Sequence, residues 1–241
     1  MKLIKPIIGD NVLIDESVVF GNNTLIYDNC SIGENVNIGN NVIIYPNCQI
    51  NDNCILQDNV VLGKRSFSTS ATGSSDKVSE KNSRVTICEK SIICTGVIIY
   101  WGVKLGKNVI CADYSILREG SILDDNVKIG KHSIVEYDAH LKAGSRINAH
   151  VLIGEQMKIG TNSFVGPHVS TACDKNIGSM NREGLSPPVI GNDVKVGEGV
   201  TIHPGVNIGD NAVIGAGCLL LESIPANSVV LGNPARIIGK L

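Results

Sequence analysis

IYDNCSIGENVNIGNNVIIYPNCQINDNCILQDNVVL, residues 26–62, repeats one rule: every sixth residue is large and apolar, at Ile26, Ile32, Ile38, Ile44, Ile50, Leu56 and Leu62. The register extends back through Phe20 and Ile14 to Ile8. It resumes at Ile87, runs through Ile93, Ile99, Leu105, Cys111, Leu117, Leu123 and Ile129 to Val165, and returns from Ile190 to Leu220. A fixed period of this kind marks a repeat architecture, in which each unit buries its apolar residue against its neighbours.

Four residues after each large apolar position comes a small or β-branched one, such as Val12, Val36, Val42, Ser115 or Ser133. Three residues after it comes Asn (Asn11, Asn23, Asn29, Asn41, Asn59) and later often Gly (Gly96, Gly120, Gly217). Asn and Gly accept positive φ, so each unit reads as a short strand followed by a corner. Three units close a triangular coil of roughly 18 residues, and stacked coils pair their strands in parallel at about 4.8 Å per level. The prediction is an all-β chain forming one domain over 1–241, a parallel β-helix of about ten triangular coils. Two polar stretches interrupt the register and read as loop insertions near 66–85 and 171–188. A C-terminal tail is expected over 222–241.

The formal net charge of −2 supplies no electrostatic footprint for nucleic acid or an anionic membrane, so neither is expected as a partner. Residues 1–8 carry Lys2, Lys5 and Pro6 and do not read as a signal-peptide core, which leaves the cytoplasm as the expected location. Among the cysteines, Cys30, Cys48, Cys54 and Cys218 occupy the small inward slot and Cys111 the large one. They read as packing rather than disulfides or metal ligands. Cys88, Cys94 and Cys173 fall outside those slots.

Two ladders of chemistry-bearing residues share the coil period. His132, His150 and His168 all fall on the turn position, predicting a column along one edge with Tyr114 one level before. Histidine also occurs there simply because it tolerates αL. Tyr100, Arg118 and Glu136 fall on the first corner residue, with Trp101 and Glu119 beside them. The aromatic pair suits a base, Arg118 a diphosphate, and Glu136 sugar hydroxyls or an amine. The plainer reading makes Arg118 and Glu136 a cross-strand ion pair on a wet face.

The repeat resembles the hexapeptide-repeat, left-handed parallel β-helix family over nearly the whole chain. The left-handed winding is implied by that resemblance, against the general right-handed crossover rule. The segment from Pro187 to Lys240, with IGAG at 214–217, Ile224-Pro225 and GNPAR at 232–236, looks like the C-terminal end of family acyltransferases that use a coenzyme A thioester. The resemblance implies a homotrimer with acetyl-CoA in a groove between subunits. The cosubstrate would lie against Gly197, Gly215 and Ala216, with Asn233 and Arg236 as further contacts and Arg236 toward its phosphates. No metal is expected.

Within the family the chain is most similar to N-acetyltransferases of nucleotide-linked amino sugars. That likeness implies His150 and Asn148 at the reacting amine, Asp174 closing over them, and His132 and His168 beside the substrate. Maltose- and galactoside-type O-acetyltransferases carry a histidine in the segment resembling VSTACDKN, where this chain has Asp174. A hydroxyl needs a base to become nucleophilic whereas a neutral amine does not, so the departure points to an amine acceptor. O-acetylation of a sugar or serine hydroxyl is the first alternative. A zinc protein similar to the γ-carbonic anhydrases is the second, although no further histidine closely follows His168. A purely structural solenoid would want regular outward faces, unlike this chain with its two irregular insertions.

Overall fold

The computed structural model describes residues 5–66, 84–177 and 184–241. Its strands form three sheets of 11, 10 and 12 strands, each strand pairing with the one three places on in the chain except at the terminal hairpin. The fold is all-β, a parallel β-helix of about eleven turns, slightly longer than predicted and consistent with the left-handed winding of hexapeptide repeats. Face 1 begins with Ile7–Ile8 and ends with Leu219–Leu220. Face 2 runs from Leu13–Ile14 to Asn207–Ile208, and face 3 from Val19–Phe20 to Arg236–Lys240.

The hexapeptide rule explains the geometry residue by residue. In the two-residue strands the second side chain points inward, and Leu117, Leu123 and Ile129 are essentially inaccessible. The corner then requires the left-handed region: Asn11, Asn41 and Asn59 take φ of 54°, 56° and 61°, and His132, His150 and His168 take 55°, 57° and 57°. Cys30, Cys48, Cys54, Cys111 and Cys218 are buried and free, as their slots predict.

The structure differs from the sequence reading at two places. The second insertion starts later than its predicted boundary, because Ser170–Thr171 is a regular strand of face 1 paired with Leu152 and with Thr201–Ile202. Thr171 fills the inward slot at 5 % exposure and donates its hydroxyl to the Leu152 carbonyl at 2.9 Å. A polar residue there hides the period. The predicted tail is also structured: Ser228–Leu231 pairs in parallel with Val213–Ile214, and Arg236–Lys240 folds back antiparallel onto it. That hairpin ends the prism. Most of the first predicted insertion, and the middle of the second, lie outside the described residues.

Both insertions depart from the same edge. The first leaves face 1 after Val61–Lys64 and rejoins at Val85–Ile87 of face 2; the second leaves after Ser170–Thr171 and rejoins at Val189–Ile190. This junction is the insertion edge. The histidine column occupies the junction between faces 3 and 1, the histidine edge. Face 1 separates them, and its outward side chains include Leu25, Ile43, Val61, Ile98, Ile116, Ile134 and Leu152. At the same levels, face 2 mixes Ile122 with Lys104, His140 and Lys158, and face 3 mixes Ile110 and Phe164 with Lys128 and Arg146, so face 1 is the most continuously apolar.

Each coil packs only against its neighbours, so a void in one inward slot cannot be refilled from afar. Leu117→Ala is expected to cost about 3 kcal/mol in urea denaturation, whereas Lys104→Ala on the outward side of face 2 should stay within about 0.5 kcal/mol.

Candidate functional site

On the histidine edge, one ring per turn stacks on the next. Tyr114 to His132, His132 to His150 and His150 to His168 have centroid separations of 5.3, 5.1 and 5.1 Å, with interplanar angles of 9°, 12° and 3°. The strand spacing sets this distance, and the shared positive-φ corner sets the common direction. All four side chains are exposed. Beneath His150 the corner is pinned from inside: the Ser133 hydroxyl donates to the Asn148 carbonyl at 2.7 Å and accepts the Val151 N–H at 3.1 Å. Asn148 turns its side-chain oxygen back to accept the Ala149 N–H at 2.7 Å.

Above His168 the column stops. The next two residues in its position are Gly199 and Gly217, at φ of 65° and 68°, and a Cβ on either would meet nothing within 4 Å. The edge therefore carries a ring column followed by an open notch with free space where side chains would stand. Gly197, Gly215 and Ala216 form the wall of the same edge. A Cβ on Gly197 would sit 2.6 Å from the Ala216 nitrogen, so only glycine allows these turns to stack so closely. Asn233 and the exposed Arg236 belong to the terminal hairpin, where a cavity of 380 Å³ is lined by Leu221, Glu222, Pro234, Ala235 and Arg236.

The insertion edge is more buried and more charged. Arg118 places its Nε 2.7 Å and its Nη2 3.4 Å from the two carboxylate oxygens of Glu119, with Nη1 3.5 Å from Glu136, and lies 5.0 Å from the Tyr100 ring centre. The Arg118 side chain is 17 % exposed and that of Glu119 only 2 %. Burial works to raise the Glu119 carboxyl, but hydrogen bonds from Arg118 and Ser66 outweigh it and hold it below the usual carboxylate range. Glu136 goes the other way: burial, then Glu155 and Glu119, push it up against the pull of Arg118. One turn on, the buried Tyr137 donates its hydroxyl to Glu155. Cys173, next in that column, is pushed up to about 12 by burial and by Glu155, while burial also raises Cys88 and Cys94. None of the three is activated as a thiolate.

The structure thus brings His132, His150, His168, Asn148, Gly197, Gly215 and Ala216 to one edge. It brings Tyr100, Trp101, Arg118, Glu136 and Asp174 to the other. Within one chain Asp174 does not join His150: it accepts the Asn176 N–H at 2.7 Å and its backbone bridges to Leu185 inside the second insertion. Tyr137 and Glu155 were not singled out from the sequence, although both lie one or two coil periods beyond Glu119. Among the described residues no group of three or more His, Cys, Asp or Glu side chains is arranged to hold a metal ion.

The family description "Bacterial transferase hexapeptide (six repeats)" matches residues 29–64 and 187–221. Galactoside O-acetyltransferase of Escherichia coli (strain K12) is 41% identical over 88 residues, 34% of this chain and 43% of that protein. Serine acetyltransferase 4 of Arabidopsis thaliana is 38% identical over 82 residues, 34% of this chain and 23% of that protein. A crystal structure of a maltose O-acetyltransferase from Clostridium difficile 630 is 30% identical, with a TM-score of 0.40, over 58% of this chain and 66% of that one. The matches span less than half the length of these two curated relatives. Over these stretches the chain resembles hexapeptide-repeat acetyltransferases.

The buried Glu119 and the half-buried Glu136 beside Arg118 should respond oppositely to neutralisation. Glu119→Gln removes the close partner of a buried guanidinium and is expected to cost about 3 kcal/mol. A raised native pKa means that the unfolded chain ionises first. Glu136 therefore contributes stability below the free glutamate value and loses it as pH rises through its own raised value. Glu136→Gln should lack that loss, so its melting temperature should gain on the wild type as pH rises from roughly 4 to 8.

Proposed function

We propose that this chain is an acetyl-CoA-dependent acetyltransferase whose acceptor is the amine of a nucleotide-linked sugar, working as a homotrimer. The observation that carries the reading is the division of chemistry between two edges flanking one apolar face. Burying face 1 against a second copy sets that copy beside a flanking edge, so the histidine column and the carboxylate-lined insertion edge are components of a site built between subunits. The Gly199 and Gly217 notch supplies an open, small-residue channel beside the rings, suited to a pantetheine arm.

In this scheme the neutral amine attacks the thioester carbonyl carbon, the oxyanion is held by backbone N–H groups, and collapse expels the coenzyme A thiolate. His150 accepts the proton lost by the amine, and Asn148 keeps the corner in place. The carboxylates of Glu136 and Glu155 favour an acceptor that arrives as its ammonium, which gives its first proton to water before the neutral amine attacks. Acetylation of a hydroxyl is the second reading, supported by relatives named for galactoside and serine.

Release of coenzyme A thiol from acetyl-CoA, measured with amino-sugar nucleotides and with their hydroxyl analogues, separates the two. The amine should win, and His150→Ala should lower kcat/KM by roughly 10²–10³. The reading is wrong if His150→Ala, Asn148→Ala and Asp174→Ala each stay within about threefold of wild type. For the assembly, Ile116→Lys combined with Ile134→Lys should convert a trimer to monomers in sedimentation velocity while leaving the β signal in circular dichroism intact.

A further inference from the structure

The insertion edge holds a cleft that the chemistry above does not use. It lies at the root of the first insertion, has a volume of about 280 Å³, and is lined by Tyr45, Pro46, Gly63, Lys64, Arg65 and Trp101. Its walls are flat and apolar: Tyr45 stacks on Tyr27 with centroids 5.3 Å apart, and Trp101 lines the cleft from two turns further on. Gly63 has φ of 75°, and a Cβ there would come within 2.9 Å of the Cys48 sulfur and 3.1 Å of the Tyr45 Cβ, so a side chain would be strained and crowded. Arg65 lies 5.0 Å over the Trp101 ring, and Lys64 lies 5.6 Å from the Tyr100 ring. Neither forms an ion pair with a carboxylate among the described residues. Aromatic faces position these two cations, and no carboxylate among the described residues neutralises them.

Charge along this edge is therefore ordered. Lys64 and Arg65, without a carboxylate partner among the described residues, stand at one end, Arg118 is paired with Glu119 and Glu136 in the middle, and Glu155 lies beyond. Lys64 and Glu136 are three turns apart, about 14 Å at the usual strand spacing. A ligand with a planar base, an anionic diphosphate and a cationic amine has the same order of parts.

We infer that this cleft binds the nucleoside diphosphate of the acceptor, with Trp101 and Tyr45 against the base and Lys64 and Arg65 on the phosphates, so that the sugar amine points toward Glu136. The inference rests on the nucleotide-linked acceptor proposed above and fixes its direction: the reverse orientation would press the diphosphate against Glu136 and Glu155. Coenzyme A also carries a nucleoside diphosphate. The glycine-walled turns proposed for it lie on the other edge, which assigns the cleft to the acceptor.

Trp101 is the single tryptophan of the chain, so intrinsic fluorescence reports on this cleft alone. UDP or dTDP should quench it saturably in the full-length protein, and the Lys64→Ala/Arg65→Ala double variant should raise Kd by roughly tenfold or more. Lys158→Ala, on the outward side of face 2, should bind as the wild type does. The inference is overturned if neither diphosphate quenches at millimolar concentration, if the double variant binds as tightly as the wild type, or if coenzyme A competes for the same quenching. Thiol release keeps the two readings apart. An enzyme that acetylates a free amino sugar yet shows no nucleotide quenching would sink the cleft and leave acetyl transfer standing. An enzyme that quenches with UDP or dTDP but transfers no acetyl group would sink the acetyltransferase reading.

Discussion

The left-handed corner is the constraint on which this molecule rests. A strand of two residues can neither twist far nor bury much by itself, so the chain must turn sharply and in the same sense after every pair. The turn needs one residue per hexapeptide at positive φ. Asn meets that need at the N-terminal coils, Gly at many later ones, and histidine at 132, 150 and 168. Because every corner repeats the same geometry at the strand spacing, any side chain placed there is copied along the axis in register. The ring column from Tyr114 to His168 follows from that copying. Its interruption at Gly199 and Gly217 shows how a ladder is ended: by removing the side chain while keeping the φ.

The same regularity makes departures informative. An insertion at a corner costs little, since loop-closure entropy grows slowly with length and the flanking strands keep their pairing. Both insertions sit on one edge, five face-1 strands apart, and they bracket the Tyr100, Arg118, Glu136 and Glu155 levels. That stretch is also where burial and charge part from the rest of the surface, with Glu119 almost inaccessible and Glu136 raised by desolvation. Elsewhere the outward polar groups are mostly Asn and Asp ladders that cap the next turn, such as Asp28 accepting the Asp10 N–H and Asp125 the Lys107 N–H.

Much of this was legible in the chain. The Ile and Leu period gives the inward slots, the Asn series gives the corners, and the spacing of His132, His150 and His168 gives their alignment. What the period could not carry were residues whose chemistry contradicts their slot or whose neighbours come from elsewhere. Thr171 is inward although polar, because its hydroxyl finds the Leu152 carbonyl, and this shifted the start of the second insertion. The terminal hairpin abandons the sixfold step, so Ser228–Leu231 and Arg236–Lys240 read as a tail. The stacking of Arg65 on Trp101 joins residues on either side of the first insertion, a contact that no local pattern encodes.

The separation of the two edges bears on how such a chain acquires activity. Strands of two or three residues hold the edges apart, and no side chain on a rigid prism can cross that width. Within one copy His150 and Glu136 are therefore independent features, each free to change without disturbing the other. A partner copy relaxes the restriction, because the apolar outward side of face 1 lies between both edges and gains by being covered. In the proposed trimer the hydrophobic term that drives association would also determine which edges meet. On the proposed function, specificity for the acceptor would reside in the corners of the insertion edge and acyl chemistry in the corners of the histidine edge. Changes to the first would then tune what is bound, and changes to the second how fast it reacts.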